Sequence, residues 1–146
     1  MIRPYPPIND VTTTPDNPPR FFVPGRSRAG DQLGRAARAA HSGFYAHLRT
    51  LPLSAEPATV LAAAESLARE LWHEVVIDHT GMRLQAVAIT RLLRFRDDVV
   101  LELRATRAGS CEVHMRSKSR LGRGDLGANA RRIEDFLDRL RRAVVV

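Results

Sequence analysis

The chain has 146 residues, a length that suits one domain with its own hydrophobic core. Hydrophobic residues make up 44% of a globular composition, and no apolar run approaches the roughly 18 residues of a membrane-spanning helix. The net charge of +7 favours anionic partners, and the single cysteine excludes an internal disulfide or a zinc site built from several cysteines.

The first 25 residues predict an extended arm. Proline fixes its own φ angle and biases the preceding residue to extended backbone. Seven of the nine prolines lie in this arm, together with apolar residues that are available to dock on a core: Ile8, Val11, Phe21, Phe22 and Val23. We therefore predict an arm over residues 1–25 that docks on a single domain of residues 26–146.

The opening residues contain no apolar segment of the signal-peptide type. The expected location is therefore cytoplasmic, or periplasmic or membrane-peripheral if an anchor precedes this sequence.

Apolar residues at helical spacing predict three helical segments. Residues 41–50 place Phe44, Tyr45 and Leu48 on one face. A longer helix is predicted to be capped by Ser54, with Pro57 in its first turn. A last helix near the C-terminus carries four apolar residues on one side: Ile133, Phe136, Leu137 and Leu140.

Alternating residues between these helices predict about four strands: 73–78, 84–91 and then 92–95 with a break between them left open, 99–104 and 111–116. The connections are short, and Gly109-Ser110 predicts a hairpin turn, so neighbouring strands should be antiparallel. The predicted fold class is therefore α+β, a two-layer sandwich of about four antiparallel strands packed against amphipathic helices, with an extended Pro-rich N-terminal arm.

Three glycines between the last strand and the last helix spell G-x-G-x-x-G: Gly122, Gly124 and Gly127. A dinucleotide-binding fingerprint needs a further parallel strand after the helix and an acidic residue about 20 positions on. Only residues 144–146 follow this helix, and Asp125 within the loop would repel a pyrophosphate. The pattern therefore does not predict dinucleotide binding.

Two other interpretations of this strand-to-helix corner stay open, and they can coexist. In the structural one, Ser117, Ser119 and Asn129 satisfy backbone amides and carbonyls at a buried corner, Asp125 caps the helix or pairs with an arginine, and Gly122 and Gly127 permit a tight path. In the other, basic and hydroxyl side chains near a helix N-terminus hold an anion, with five candidates: Arg116, Ser117, Ser119, Arg120 and Arg132. Ion pairs from these arginines to Asp125, Glu112 or Glu134 would leave no donor for an anion.

Other constellations predict no catalytic residue, metal ligand or cofactor. Asp97 and Asp98 are adjacent on a strand, so they should point to opposite faces as solvated charges. Cys111 and His114 are three positions apart, which also separates their faces and argues against a nucleophile pair. The composition is only 5% aromatic and shows no RNA-binding motif, so we do not expect nucleic acid as a partner.

The spacing of the corner residues resembles the signature of a bacterial and plastid family, the domain of unknown function 1499. The matching positions are Arg116, Ser117, Ser119, Arg120, Gly122, Asp125, Gly127, Asn129, Arg132 and Ile133. Residues 8–21, Trp72, residues 81–88 and residues 94–104 also resemble that family. The resemblance implies no activity, and many relatives look membrane-anchored, with this domain outside the cytoplasm. Asn9, Thr14 and Gln85 depart from residues that are common there: His, Asp and Glu.

These features together predict a non-enzymatic binding or accessory domain at or near a membrane, with a weak anion-binding motif. Its expected partner is an anionic lipid, a phosphate-containing ligand or a membrane protein. The alternative is an enzyme that holds an anionic small-molecule substrate with the Arg/Ser motif. Converging polar groups in a pocket would favour that alternative.

Overall fold

The computed structural model describes residues 4–24 and 33–145. In chain order, the elements of these residues are β1 (Asp10–Thr12), α1 (Arg35–Ser42), β2 (Leu51–Leu53), α2 (Pro57–Leu71), β3 (His73–Asp78), β4 (Arg83–Ile89), β5 (Arg96–Arg107), β6 (Ser110–Ser119) and α3 (Ala128–Val145).

Six antiparallel strands form one sheet in the order β1-β6-β5-β4-β3, with β2 also paired to β6. One edge of β6 pairs with β5, and the other pairs with β2 and β1 placed end to end. The α+β class and the antiparallel pairing are confirmed, whereas the predicted number of about four strands is wrong. The two additional strands have three residues each, which is too short to show alternation, and β2 contains Pro52, which an edge strand tolerates.

The separate N-terminal arm is also corrected, because part of it belongs to the sheet. Main-chain pairing of Val11 with Ser117 makes residues 10–12 a strand. Val11 is fully buried in the main core. The predicted domain boundary between residues 25 and 26 lies within residues 25–32, outside the described residues, and stays a prediction.

One face of the sheet packs against α2 and α3 and holds the main core. Alternation on β6 directs Cys111, Val113 and Met115 to this face, where they are buried with apolar residues of both helices. Trp72, at the end of α2, stacks on Phe136 of α3 with 4.5 Å between ring centroids. These contacts fix the position of the N-terminal end of α3 against the sheet.

The opposite face is covered by residues 18–23. The backbone N–H groups of Phe22 and Val23 donate to Gln85 Oε1 on β4 at 2.8 and 3.1 Å. Val87 and Val100 lie on this face, outside the main core cluster, and are fully buried. The N-terminal segment therefore provides a second, smaller buried layer.

Three local predictions are wrong. Residues 91–93 form a turn rather than a continued strand. Glu56, not Ser54, precedes the first turn of α2, and it makes no side-chain cap, although Pro57 does occupy that turn. The helix predicted over residues 41–50 ends at Ser42, and Tyr45 and Leu48 are buried in the turn that follows.

Candidate functional site

The corner between β6 and α3 is organised around Asn129, which is fully buried. Its Oδ1 accepts from the Ser117 hydroxyl at 2.6 Å, and its Nδ2 donates to Ser119 Oγ at 2.9 Å and to Asp125 Oδ2 at 2.7 Å. Asp125 also accepts from the backbone N–H of Gly127 at 2.8 Å. These bonds tie the loop of residues 120–127 to the last strand and to the first turn of α3.

Arg132 extends this network on the face of the sheet that packs against α2 and α3, here called the helical face. Its Nη1 lies 2.9 Å from Asp97 Oδ2, 2.8 Å from Asn129 Oδ1 and 3.1 Å from Ser117 Oγ. Burial raises the pKa of Asp97, although Arg132 and the Ser119 hydroxyl act in the opposite direction. The expectation that Asp97 is solvated is wrong, because its side chain is 2% exposed.

Arg116 lies on the opposite face of the sheet and is also buried. Its guanidinium donates to both carboxylate oxygens of Asp10, at 2.9 and 2.8 Å, and to the Pro19 carbonyl at 3.3 Å. The Phe21 ring packs over it, with its centroid 5.2 Å from the guanidinium carbon. This arginine therefore holds the N-terminal segment on the sheet.

Arg120 follows β6 and forms two bonds to Asp98, at 3.0 and 2.9 Å. The Asp98 side chain is fully buried, while that of Arg120 is 29% exposed. The expectation that Asp98 is solvated is therefore also wrong.

The five anion-binding candidates do not meet at one point. Ser117, Ser119 and Arg132 lie on the helical face, whereas Arg116 lies on the other face and Arg120 pairs with Asp98 from that same side. Arg116 pairs with Asp10, Arg120 with Asp98 and Arg132 with Asp97. None of these three ion pairs involves the predicted partners Asp125, Glu112 and Glu134. At the corner, Ser117, Ser119 and Asn129 bond mainly to one another and to Asp125, and not to backbone amides and carbonyls as the structural interpretation expected.

The three departures from the family resemblance all lie in contacts of the N-terminal segment. Asn9 Nδ2 donates to the Gly122 carbonyl at 2.5 Å. The Thr14 hydroxyl lies 2.6 Å from His114 Nδ1, and Gln85 accepts the two backbone N–H bonds described above. Asn9, Thr14 and Gln85 therefore act in this chain by attaching that segment.

A different feature lies beside the corner, where two loops expose large apolar side chains. Residues 90–95 connect β4 to β5 and residues 120–127 connect β6 to α3. Together they expose five large apolar side chains, here called the apolar end: Leu92 (90% exposed), Leu93 (64%), Phe95 (43%), Leu121 (69%) and Leu126 (72%).

A cavity of about 260 Å³, here called the loop cavity, lies between these two loops. The five residues of the apolar end line it, together with Gly122, Gly124 and Ala128, and Asp97, Ser119 and Asp125 lie at its inner side. The loop cavity therefore joins an apolar mouth to the hydrogen-bonded corner.

Two exposed arginines, Arg91 and Arg94, lie in the same stretch of chain as Leu92, Leu93 and Phe95, and they have no ion-pair partner among the described residues. Arg123 is also exposed, but it lines a separate depression beside the start of α1. Arg94 and Leu126 adopt positive φ angles of 53° and 51°, a conformation that costs non-glycine residues energy. The apolar end was missed in the sequence because residues 92–95 were assigned to a strand. Residues 91–96, RLLRFR, mix arginine with large apolar residues without a period of two, and this pattern could have indicated an exposed loop.

A second depression of about 450 Å³ lies beside Cys111 at the ends of β2 and β6. Cys111 is not an activated nucleophile there, because burial raises the pKa of its thiol and His114 lies on the other face of the sheet. The prediction that Cys111 and His114 point to opposite faces of the strand is therefore confirmed.

Among the described residues, no helix combines the length and hydrophobicity needed to cross a membrane. A family model described as "Protein of unknown function (DUF1499)" matches residues 10–140. No curated protein matches the chain.

Proposed function

The chain belongs to the DUF1499 family, whose description assigns no function, and we propose that it is a peripheral membrane-binding domain that docks on anionic lipid through the apolar end. The observation that carries this proposal is the exposure of Leu92, Leu93, Phe95, Leu121 and Leu126 at one place on the surface.

The distribution of exposed apolar side chains supports the proposal. Five of the nine large hydrophobic residues that are exposed in the described chain lie in these two loops. Contiguous exposed apolar patches of this kind mark protein or membrane interaction sites. Transfer of one leucine or phenylalanine side chain out of water contributes about 1.5–3 kcal/mol when burial is complete. Partial insertion of several such side chains is therefore sufficient for reversible membrane binding.

The charge around the apolar end favours a lipid surface over an uncharged protein surface. Arg91 and Arg94 adjoin Leu92 and Leu93 in the chain, without acidic partners among the described residues. Each basic residue near an anionic leaflet contributes about 1 kcal/mol of attraction. The combination of apolar tips with flanking arginines is typical of interfacial membrane segments.

We place the head-group contacts on these loop arginines and not on Arg116 and Arg132. Those two side chains are 1% and 13% exposed and already pair with Asp10 and Asp97. Arg120 retains partial exposure beside its Asp98 pair and is the one member of the predicted anion motif that we include. In this proposal, Asn129 and its hydrogen-bond partners position the loop of residues 120–127.

Vesicle co-sedimentation tests the proposal. The wild-type chain should sediment with vesicles of phosphatidylglycerol and phosphatidylcholine, and less with phosphatidylcholine alone. The double variant Leu92→Ser/Leu121→Ser should lose about tenfold or more in affinity, because both side chains are removed from the apolar end.

Val145→Ser is the matched control. Val145 is 71% exposed, but it lies at the far end of α3, about 26 Å from the first residue of that helix. Equal binding by the wild type and the double variant would reject the proposal, and so would the absence of wild-type binding to anionic vesicles. Absence of vesicle binding would leave a membrane protein as the partner to examine.

A further inference from the structure

The loop cavity opens at the surface that the proposed function places against the bilayer, and we infer that it receives one acyl chain that carries an anionic head group. This inference rests on the proposed membrane docking, because the bilayer would deliver the chain to the mouth of the cavity.

The walls of the loop cavity specify an apolar occupant. Leucine and phenylalanine side chains line its outer part, and the backbone of Gly122 and Gly124 completes it. Its volume of about 260 Å³ is just below the roughly 300–1,000 Å³ of pockets that enclose whole drug-sized ligands. It therefore suits a segment of a chain and not a complete lipid.

The polar groups at the inner side of the loop cavity need nothing from a ligand. Asp97 pairs with Arg132, and Asp125 accepts from Gly127 and Asn129. Ser119 accepts from Asn129 at 2.9 Å. Because these groups are satisfied within the protein, an apolar chain can approach them without leaving a buried donor or acceptor unpaired.

The mouth of the cavity selects the charge of the head group. Arg91 and Arg94 adjoin the lining residues Leu92 and Leu93 in the chain, both are exposed, and the described residues contain no acidic partner for them. A carboxylate or phosphate at the end of an inserted chain can form charge-assisted bonds with one of these guanidinium groups. A chain that carries an amine would be repelled.

One wall of the cavity is held in place by the protein itself. The Thr90 N–H donates to the Phe95 carbonyl at 2.9 Å, and the Phe95 N–H donates to the Thr90 hydroxyl at 2.8 Å. These bonds close residues 90–95 into a fixed turn, so the wall is formed before a ligand arrives.

Calorimetry with monomeric dodecanoate, dodecanol and dodecylamine tests the inference on the full chain. Dodecanoate should bind most tightly and dodecylamine least. Ala128→Leu places a larger side chain inside the cavity and should weaken dodecanoate binding about tenfold or more. Ala143→Leu, at an exposed position on the same helix, is the matched control and should leave dodecanoate binding unchanged.

A spin-labelled ligand gives a result that needs no substitution. Stearic acid or phosphatidylglycerol with a nitroxide at the end of the acyl chain should broaden the amide NMR signals of Ser119 and Ala128. The fatty acid added as a monomer tests a free ligand, and the phospholipid in vesicles tests a chain taken from the bilayer.

The outcomes separate this inference from the proposed function. Vesicle binding with broadening confined to residues 91–95 and 121–126 would overturn the acyl-chain inference and leave membrane docking intact. Broadening of Ser119 and Ala128 by the monomer, without vesicle binding, would support the cavity and reject the docking. Equal binding of dodecanoate and dodecylamine would overturn the selection of an anionic head group.

Discussion

Asp97 and Asp98 are neighbours in β5, and their carboxylates lie on opposite faces of the sheet, paired with different arginines. Asp97 meets Arg132 of α3 at 2.9 Å, and Asp98 meets Arg120 at 2.9 Å. Both carboxylates are almost completely shielded from water. Two adjacent residues therefore anchor the start of α3 and the end of β6, the elements that flank the loop of residues 120–127.

Removal of the Asn129 side chain should destabilise the corner. Asn129→Ala leaves the Ser119 hydroxyl and Asp125 without a shared donor, and it should lower the free energy of unfolding by about 1–3 kcal/mol. Urea denaturation measures the change. Asn17→Ala, at an exposed position, should stay within about 0.5 kcal/mol of the wild type. Equal stability of the wild type and Asn129→Ala would contradict the observed network.

The buried ion pair of Asp10 and Arg116 should behave differently from an exposed pair. Asp10→Asn removes the carboxylate that accepts two bonds from the guanidinium of Arg116, which is 1% exposed, and it should cost about 3–5 kcal/mol in unfolding experiments. Asp135→Asn breaks the exposed pair with Arg139 and should cost less than about 1 kcal/mol. Similar losses for the two variants would show that Asp10 is not needed to compensate the buried charge.

Stability should fall with decreasing pH partly because of His114. Burial lowers the pKa of His114 below its usual value of 6.5, with Arg104 acting in the same direction, while Glu112 opposes the shift. The unfolded chain therefore binds this proton more readily than the folded chain, and the stability linked to His114 decreases as the pH falls through 6.5 toward the folded-state pKa. Between pH 8 and pH 5, the unfolding free energy of the wild type should fall more than that of His114→Gln. A constant difference between the two would exclude this linkage.

Membrane binding should depend on salt through the loop arginines. Arg91→Gln and Arg94→Gln should each weaken binding to anionic vesicles by about 1 kcal/mol at low ionic strength. The difference from the wild type should shrink as sodium chloride rises, because screening shortens from about 10 Å at 0.1 M to about 3 Å at 1 M. Arg142→Gln, at the other end of α3, should leave binding unchanged. An effect of Arg142→Gln equal to the other two would indicate attraction by net charge alone.

The sequence was sufficient for the long elements. Strands β3 to β6 and helices α2 and α3 carry a clear apolar period, and one apolar side of each packs against the main core. The strand predicted over residues 92–95 is wrong, because their apolar side chains are exposed and do not belong to the core. Hydrophobicity alone does not distinguish such a loop from a strand. Strands β1 and β2 were not predicted, because three residues are too few to show an alternating pattern.

The polar contacts of the site were harder to predict than its backbone. Ser117, Ser119 and Asn129 were placed on the core side from their periodicity, and the structure confirms it. The predicted ion-pair partners of Arg116 and Arg120 were wrong. Asp10 and Asp98 come close to these arginines only through pairing of strands that are far apart in the chain. Neighbours in the sequence, such as Glu112, do not reveal such pairs.

The pairing of β1 with β6 also sets an order of events during synthesis. Asp10 and Arg116 are separated by 106 positions, so β1 must wait for the synthesis of β6 before it can pair. Until then, Val87 and Val100 have no cover from residues 18–23. Contacts between such distant positions slow folding, because the intervening chain must be closed into a loop first. Completion of the second layer is therefore a late step, during which the nascent chain exposes apolar β-sheet surface to chaperones and to aggregation.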